Sequence, residues 1–76
     1  MWYRIPVSGH HNGHQLTAAF VHAESVLEAG QKLIDAVDMD PSVRDLEIMP
    51  DELTVVDRPP ELTGTQEILF EEDLLH

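Results

Sequence analysis

Histidine titrates near neutral pH and ligates metals, so the five histidines are the first residues to weigh. Three of them cluster in His10-His11-Asn12-Gly13-His14. Imidazoles this close invite a site for zinc, copper or nickel. The residues between them argue otherwise. Asn12-Gly13 is the favoured dipeptide for a two-residue type I′ hairpin turn, which needs positive φ at both positions. In such a hairpin His11 and His14 share a face while His10 points away, and two ligands on a turn hold a metal weakly. The cluster reads as the polar end of a hairpin, and neither a metal nor a cofactor is expected. His22 lies near the end of the second strand, on its apolar face. As a base it would need a nucleophile within reach, and no motif supplies one. It reads as a packing residue.

Carboxylates are the other abundant chemistry. The chain has 15 Asp and Glu against 4 Lys and Arg, a net charge of −11. Asp38 with Asp40, or Glu71 and Glu72 with Asp73, offer oxygens to magnesium or calcium. The EF-hand spacing is absent, however, and hard cations want a preorganised oxygen cage. A glycosidase pair needs a cleft that so small a domain hardly builds. The four glycines form no phosphate-cradling loop. No catalytic residue is assigned, and the chain reads as non-enzymatic.

The distribution of the acids is more telling than their number. Residues 1–37 carry three acids and two bases, a net of −1, whereas residues 38–76 carry twelve acids and two bases, a net of −10. Adaptation to high salt would acidify the whole surface. Acid gathered in one half makes a directional negative field that attracts basic surfaces and repels nucleic acid.

The elements that must position these groups follow from pattern. With Asn12-Gly13 as the turn, His11 faces His14, Gly9 faces Leu16, Val7 faces Ala18, Ile5 faces Phe20 and Tyr3 faces His22. The apolar face is then Tyr3, Ile5, Val7, Leu16, Ala18 and Phe20, with Arg4, Ser8, Thr17 and Val21 opposite. Pro6 cannot donate to a ladder, which predicts an edge strand or a bulge there. A helix follows. Ser25-Val26-Leu27-Glu28 fits a capping box, and Val26, Ala29, Leu33 and Val37 recur at helical spacing, flanked by Gly30 and Ile34. Gly30 would let the helix approach the sheet closely. Asp40-Pro41 closes the helix. Leu46–Met49 and Leu53–Val56 are short strand candidates joined by a turn at Pro50-Asp51, and Arg58-Pro59-Pro60-Glu61 reads as a stiff linker. The tail, residues 62–76, reads as a strand or an extended docking segment. An acidic helix over Thr65–Leu75, or a segment that orders only on a partner, is the alternative.

The fold class is therefore α+β: a small antiparallel sheet of a hairpin and two further short strands, one helix packed on one face, and an acidic C-terminal extension. Residues 1–57 form a ββαββ domain. Residues 58–76 form the proline-containing linker and an acidic–apolar segment. There is no cysteine, which excludes disulfides and thiolate zinc sites. Residues 1–7 lack the basic region and apolar core of a secretion signal. No apolar run approaches the roughly 20 residues that cross a bilayer. A cytoplasmic location is expected, without direct contact to nucleic acid or membrane.

The stretch from Trp2 to Val37 is strand, polar turn, strand, then a helix opened by Ala-Glu-Ser-x-x-Glu-Ala (Ala23 to Ala29). It resembles the N-terminal half of the partial double-stranded-RNA-binding-domain-like antitoxins of the HicB family, and several small phage-encoded proteins, including some anti-CRISPR inhibitors. The resemblance covers about half of the chain. The first likeness implies a regulatory module. The second implies an inhibitor that occupies a basic nucleic-acid channel. No functional residue carries over from either family.

The function expected is that of a non-catalytic acidic inhibitor. It would occupy a basic surface, one that normally binds nucleic acid, on a larger protein or nucleoprotein effector. Glu47, Asp51, Glu52 and Asp57, then Glu67, Glu71, Glu72 and Asp73 of the tail, would stand in for phosphates against Arg and Lys. Trp2, placed opposite Tyr3, reads equally as a residue closing the edge of the core or as an exposed aromatic suited to a binding hot spot, and on the second reading it joins them. The alternative is an antitoxin-like or structural module that pairs through a sheet edge, which would also permit a homodimer.

Overall fold

Asn12 and Gly13 take φ of 52° and 83°, the paired positive values of a type I′ turn. They join β1 (Trp2–His11) to β2 (His14–His22), with His11 opposite His14 as expected. The computed structural model describes residues 1–60, 62 and 64–73. After the hairpin come α1 (Val26–Asp38), β3 (Val43–Ile48), a single 3-10 turn (Pro50–Glu52), β4 (Thr54–Val56) and β5 (Ile68–Asp73). These strands form one antiparallel sheet in the order β3-β1-β2-β5, with β4 also paired to β1, and the helix packs on one face. The fold is α+β.

Two short strands share one side of β1. β3 pairs with Val7–His11, and β4 pairs with Trp2–Arg4. They do not form the hairpin with each other that the Pro50-Asp51 turn suggested. Pro6 sits between them. Its carbonyl accepts from Met49 N–H at 2.9 Å, so its ring nitrogen faces the same gap, where the chain leaves the ladder for the 3-10 turn. The missing donor costs nothing there. β1 is thus an inner strand, and Pro6 is tolerated at a break between partners.

The expected register holds at the turn and fails beyond it. Pro6 pairs with Ala18 and Gly9 with Leu16, so Val7 and Ser8 together oppose Thr17. This bulge slips the remaining pairs by one residue: Ile5 faces Ala19, Tyr3 faces Val21 and Trp2 faces His22. Ala19 and Val21 therefore join the core. Ala18 and Phe20 turn to the opposite face, Phe20 beside Arg4. His22 moves with them and lies beside Trp2, on the face away from the helix. Two further bulges lie in the same band. Thr17 is the extra residue of β2 against β5, and β3 carries one at Asp45-Leu46, with Asp45 at φ 55°. Gly9 meets that third bulge. A Cβ there would lie 3.0 Å from the Arg44 carbonyl oxygen and from Leu46 Cα, and its φ is 152°. Only glycine fits.

The core lies between the sheet and α1. Tyr3, Ile5, Val7, Leu16, Ala19, Val21 and Ala23 meet Ala29 and Leu33, with Val37, Phe70 and Ile68 packed against them. Val26 and Ile34 face outward instead, 52% and 45% exposed. Gly30 does not press on the sheet, since a Cβ added there meets nothing within 4 Å. Ser25 caps the helix by accepting from Glu28 N–H at 3.2 Å. The reciprocal half of the capping box is absent: the Glu28 carboxylate pairs one turn on with Lys32 at 3.3 Å.

Within the tail, residues 68–73 form a strand. β5 pairs with β2 from Val21–Ile68 to Gln15–Asp73, so residues 68–73 join the sheet built by residues 1–57. Glu61, the last residue of the expected linker, and Thr63 and residues 74–76 of the tail lie outside the described residues. Among the described residues no helix is long and apolar enough to cross a membrane.

Candidate partner-binding edges

The acidic half of the chain does not map to one side of the molecule. β3 and β4 lie beyond β1, and β5 lies beyond β2, so the carboxylates divide between opposite edges of the sheet. Each group has its own electrostatic state.

At the β3–β4 edge, Glu47, Asp51, Glu52 and Asp57 are all exposed. Glu47 is on β3, Asp51 and Glu52 are in the 3-10 turn, and Asp57 directly follows β4. Among the described residues none of them has an ion pair or a side-chain hydrogen bond. Asp45, which sequence reasoning left out, joins them at the bulge of β3 and is exposed. Its signal is conformational: positive φ is tolerated best by Gly, Asn and Asp. Met49 and Val55 lie exposed among these acids, at 38% and 57%.

At the β5 edge the carboxylates are tied down. Arg4 donates to Glu71 Oε1 at 3.3 Å, and the Thr17 hydroxyl donates to the same oxygen at 2.8 Å. Glu72 pairs with His11 Nδ1, whose other ring nitrogen lies 3.7 Å from Asp40 Oδ2. Glu67 meets Lys32 at 3.3 Å and His22 at 3.9 Å. Asp73 ends the strand opposite Gln15. Both well-placed bases of the first half, Arg4 and Lys32, are thus spent inside the molecule. Among the described residues the carboxylates of the other edge face solvent without an ion pair, as do Glu24 and Asp38, and the exposed bases Arg44 of β3 and Arg58 after β4 lie beside them.

Two groups are shifted by these contacts. Desolvation works against the Lys32 ammonium, but Glu67 and Glu28, through hydrogen bonds and charge, outweigh it and hold its pKa above the ordinary 10.5. Hydrogen bonds from the Ser42 hydroxyl and N–H hold the Asp40 carboxyl below its ordinary 3.8, against a small burial effect and with help from His11.

Trp2 lies on the face opposite Tyr3, as expected, yet it is buried at 9% exposure. Its ring packs tilted on His22 with centroids 5.2 Å apart. Arg58 and residues 64–67 lie beside the pair, and with it line an open polar hollow of about 390 Å³. Trp2 therefore fills a structural joint rather than standing free. The slipped register sets His22 opposite it, and that ring, not a change of face, accounts for the contact.

For metal binding, the described residues contain no group of three or more His, Asp or Glu side chains placed to hold an ion. His10 is exposed, and His11 turns to Glu72 and the Phe70 ring, 5.8 Å away between centroids. No protein-family model, curated protein or solved structure matches the chain.

Proposed function

We propose that this protein is a non-catalytic, acidic binding protein that occupies a basic surface of a larger protein and blocks it. The single observation that carries the reading is the row of exposed, unpaired carboxylates Asp45, Glu47, Asp51, Glu52 and Asp57 along the β3–β4 edge. An unpaired surface carboxylate keeps its full field, whereas an internally paired one is largely cancelled at a distance. Met49 and Val55 among the acids add apolar area, which slows dissociation once charge has steered the encounter.

A basic surface of this kind normally holds phosphate, so the target class is a nucleic-acid-binding protein or nucleoprotein effector, met in the manner of a nucleic-acid mimic or anti-CRISPR inhibitor. The chain itself contacts no nucleic acid, because like charge repels it. The acids of β5 play a lesser part in this contact than Glu47, Asp51, Glu52 and Asp57.

The test is capture by the immobilised protein from an extract of the cells that encode it. The captured protein should itself bind DNA or RNA, should be displaced by added nucleic acid, and should be released as salt rises. The variant Glu47→Gln, Asp51→Asn, Glu52→Gln, Asp57→Asn should capture about tenfold less. Capture that is indifferent to salt and to nucleic acid overturns the reading.

A further inference from the structure

The sheet ends on β5, and among the described residues no strand pairs with its far side. Two hydrogen bonds fix which of its backbone groups are open. His22 N–H donates to the Glu67 carbonyl at 2.8 Å, and the Thr17 hydroxyl donates to the Glu71 carbonyl at 3.2 Å. In an antiparallel strand alternate residues turn their backbone groups to the same side. Leu69 and Glu71 therefore face β2, while Ile68, Phe70 and Glu72 present N–H and C=O on the open edge.

Open edges are templates for strand addition, and proteins blunt them with bulges, proline, lysine or very short strands. The opposite edge of this sheet is blunted. β3 is bulged at Asp45, β4 has three residues, and a 3-10 turn starting at Pro50 separates them. β5 has no bulge of its own, no proline and no lysine, and its charges are confined to its second half. It runs for six residues, and the bulge it meets belongs to β2, at Thr17. Beside it Phe20, Leu69, Phe70 and Glu71 line a mostly apolar hollow of about 240 Å³. The strand is also polar along its length: Ile68-Leu69-Phe70 leads into Glu71-Glu72-Asp73.

We propose that β5 is a docking strand for an extended segment of a partner protein, added antiparallel to its open edge, with basic residues at the segment's N-terminal end and apolar residues at its C-terminal end. That polarity sets the bases beside Glu71 and Glu72, whose pairs with Arg4 and His11 are only partly buried and leave this end of the strand acidic, and the apolar side chains beside Ile68 and Phe70, next to the hollow. A second copy fits poorly. Antiparallel β5 pairing would lay the acids of each chain on the apolar residues of the other, and would bring together two chains of net charge −11. The site is separate from the β3–β4 carboxylates and does not depend on them.

The test is an NMR titration of the 15N-labelled chain with two end-capped probe peptides, Lys-Lys-Lys-Val-Ile-Val and Glu-Glu-Glu-Val-Ile-Val. The basic probe should shift and protect the amides of Ile68, Phe70 and Glu72, and should bind at least about tenfold more tightly than the acidic one. A chain made by synthesis with an N-methyl group on the Phe70 amide keeps every bond to β2 but loses the central outward donor. It should bind the basic probe about tenfold more weakly. Should that chain not fold, Glu72→Pro removes another outward N–H near the strand end, where proline is tolerated. Shifts confined to Val43–Val56, equal binding of the two probes, full binding by both modified chains, or dimerisation through β5 in sedimentation overturns the proposal. Neutralising Glu47, Asp51, Glu52 and Asp57 should leave probe binding unchanged, which separates this site from the one proposed above.

Discussion

Arg4 on β1 reaches across β2 to Glu71 on β5, with Nη2 to Oε1 at 3.3 Å. The two residues stand 67 positions apart in the chain and bracket the hairpin's second strand. The same carboxylate oxygen accepts from Thr17 at 2.8 Å, so one oxygen joins three strands. Both charged side chains are more than a third exposed, at 36% and 43%, and solvent screens the pair. Arg4→Met should cost less than about 1 kcal/mol in urea unfolding. Glu71→Gln and Thr17→Val should not add, because they share the oxygen. Additive losses would show that the three groups act independently.

Two glycines should respond to the same substitution with opposite signs. Gly9→Ala places a Cβ 3.0 Å from the backbone of β3 at a φ of 152°, and should destabilise by about 1–3 kcal/mol. Gly30→Ala sits inside α1 with nothing within 4 Å, and should stabilise by about 0.5–1 kcal/mol. Chemical denaturation of both variants checks the contrast.

The helix is held by few large contacts. Leu33 is fully buried at 0% exposure and is the largest buried side chain that α1 contributes. Leu33→Ala should cost about 2–5 kcal/mol. In a domain this small that loss approaches the whole stability. Loss of cooperative melting, or a fall in Tm of more than about 10 °C, is the expected readout.

The acid limb of stability should depend on Ser42. The Asp40 carboxyl titrates below its ordinary 3.8 because Ser42 donates to it. The folded state thus binds that proton more weakly than the unfolded state. The stabilisation is present above the unfolded value and is lost as pH falls through the folded one. Ser42→Ala should raise the Asp40 pKa in a carboxyl NMR titration and flatten the stability curve below pH of about 4. Lys32 mirrors this at the basic end. Its raised pKa means that its contribution is complete below 10.5 and is lost as pH rises through the folded value.

Neutralising Glu47, Asp51, Glu52 and Asp57 should leave the fold intact, since none of them has a partner to lose among the described residues. Stability at low salt should hold or rise by roughly 0.5 kcal/mol as repulsion is relieved, and the gain should vanish at high salt. A clear loss would mean that one of these groups supports the 3-10 turn.

Much of the architecture was written locally. Asn12-Gly13 set the hairpin, Ser25 the helix start, Asp40-Pro41 its end, and β-branched runs the short strands. What could not be read was decided between distant strands. The bulge at Val7-Ser8 lies where β1 pairs with β2 on one side and with β3 on the other. Its effect was to move Val21 inward and Phe20 outward, an exchange invisible to a period-two pattern. The candidate site was legible as composition but not as geometry. Glu47 and Glu71 look alike in the chain, yet the fold sends β5 to the far edge, where Arg4, His11 and Lys32 from the first half meet its acids. The near-neutral half thus cancels part of the acidic one, while the acids of the β3–β4 group stay unpaired among the described residues.

The tandem seating of β3 and β4 along β1 has a kinetic consequence. The hairpin is synthesised before either of its flanks, so during translation its two outer rims stand bare until residues 43–56 and then 68–73 emerge. Sheet closure must wait for pairings that span most of the chain, which places folding on the slow, millisecond-to-second side for a domain of about this size. A cell making this protein would have to keep nascent hairpins apart from one another until the last strand arrives.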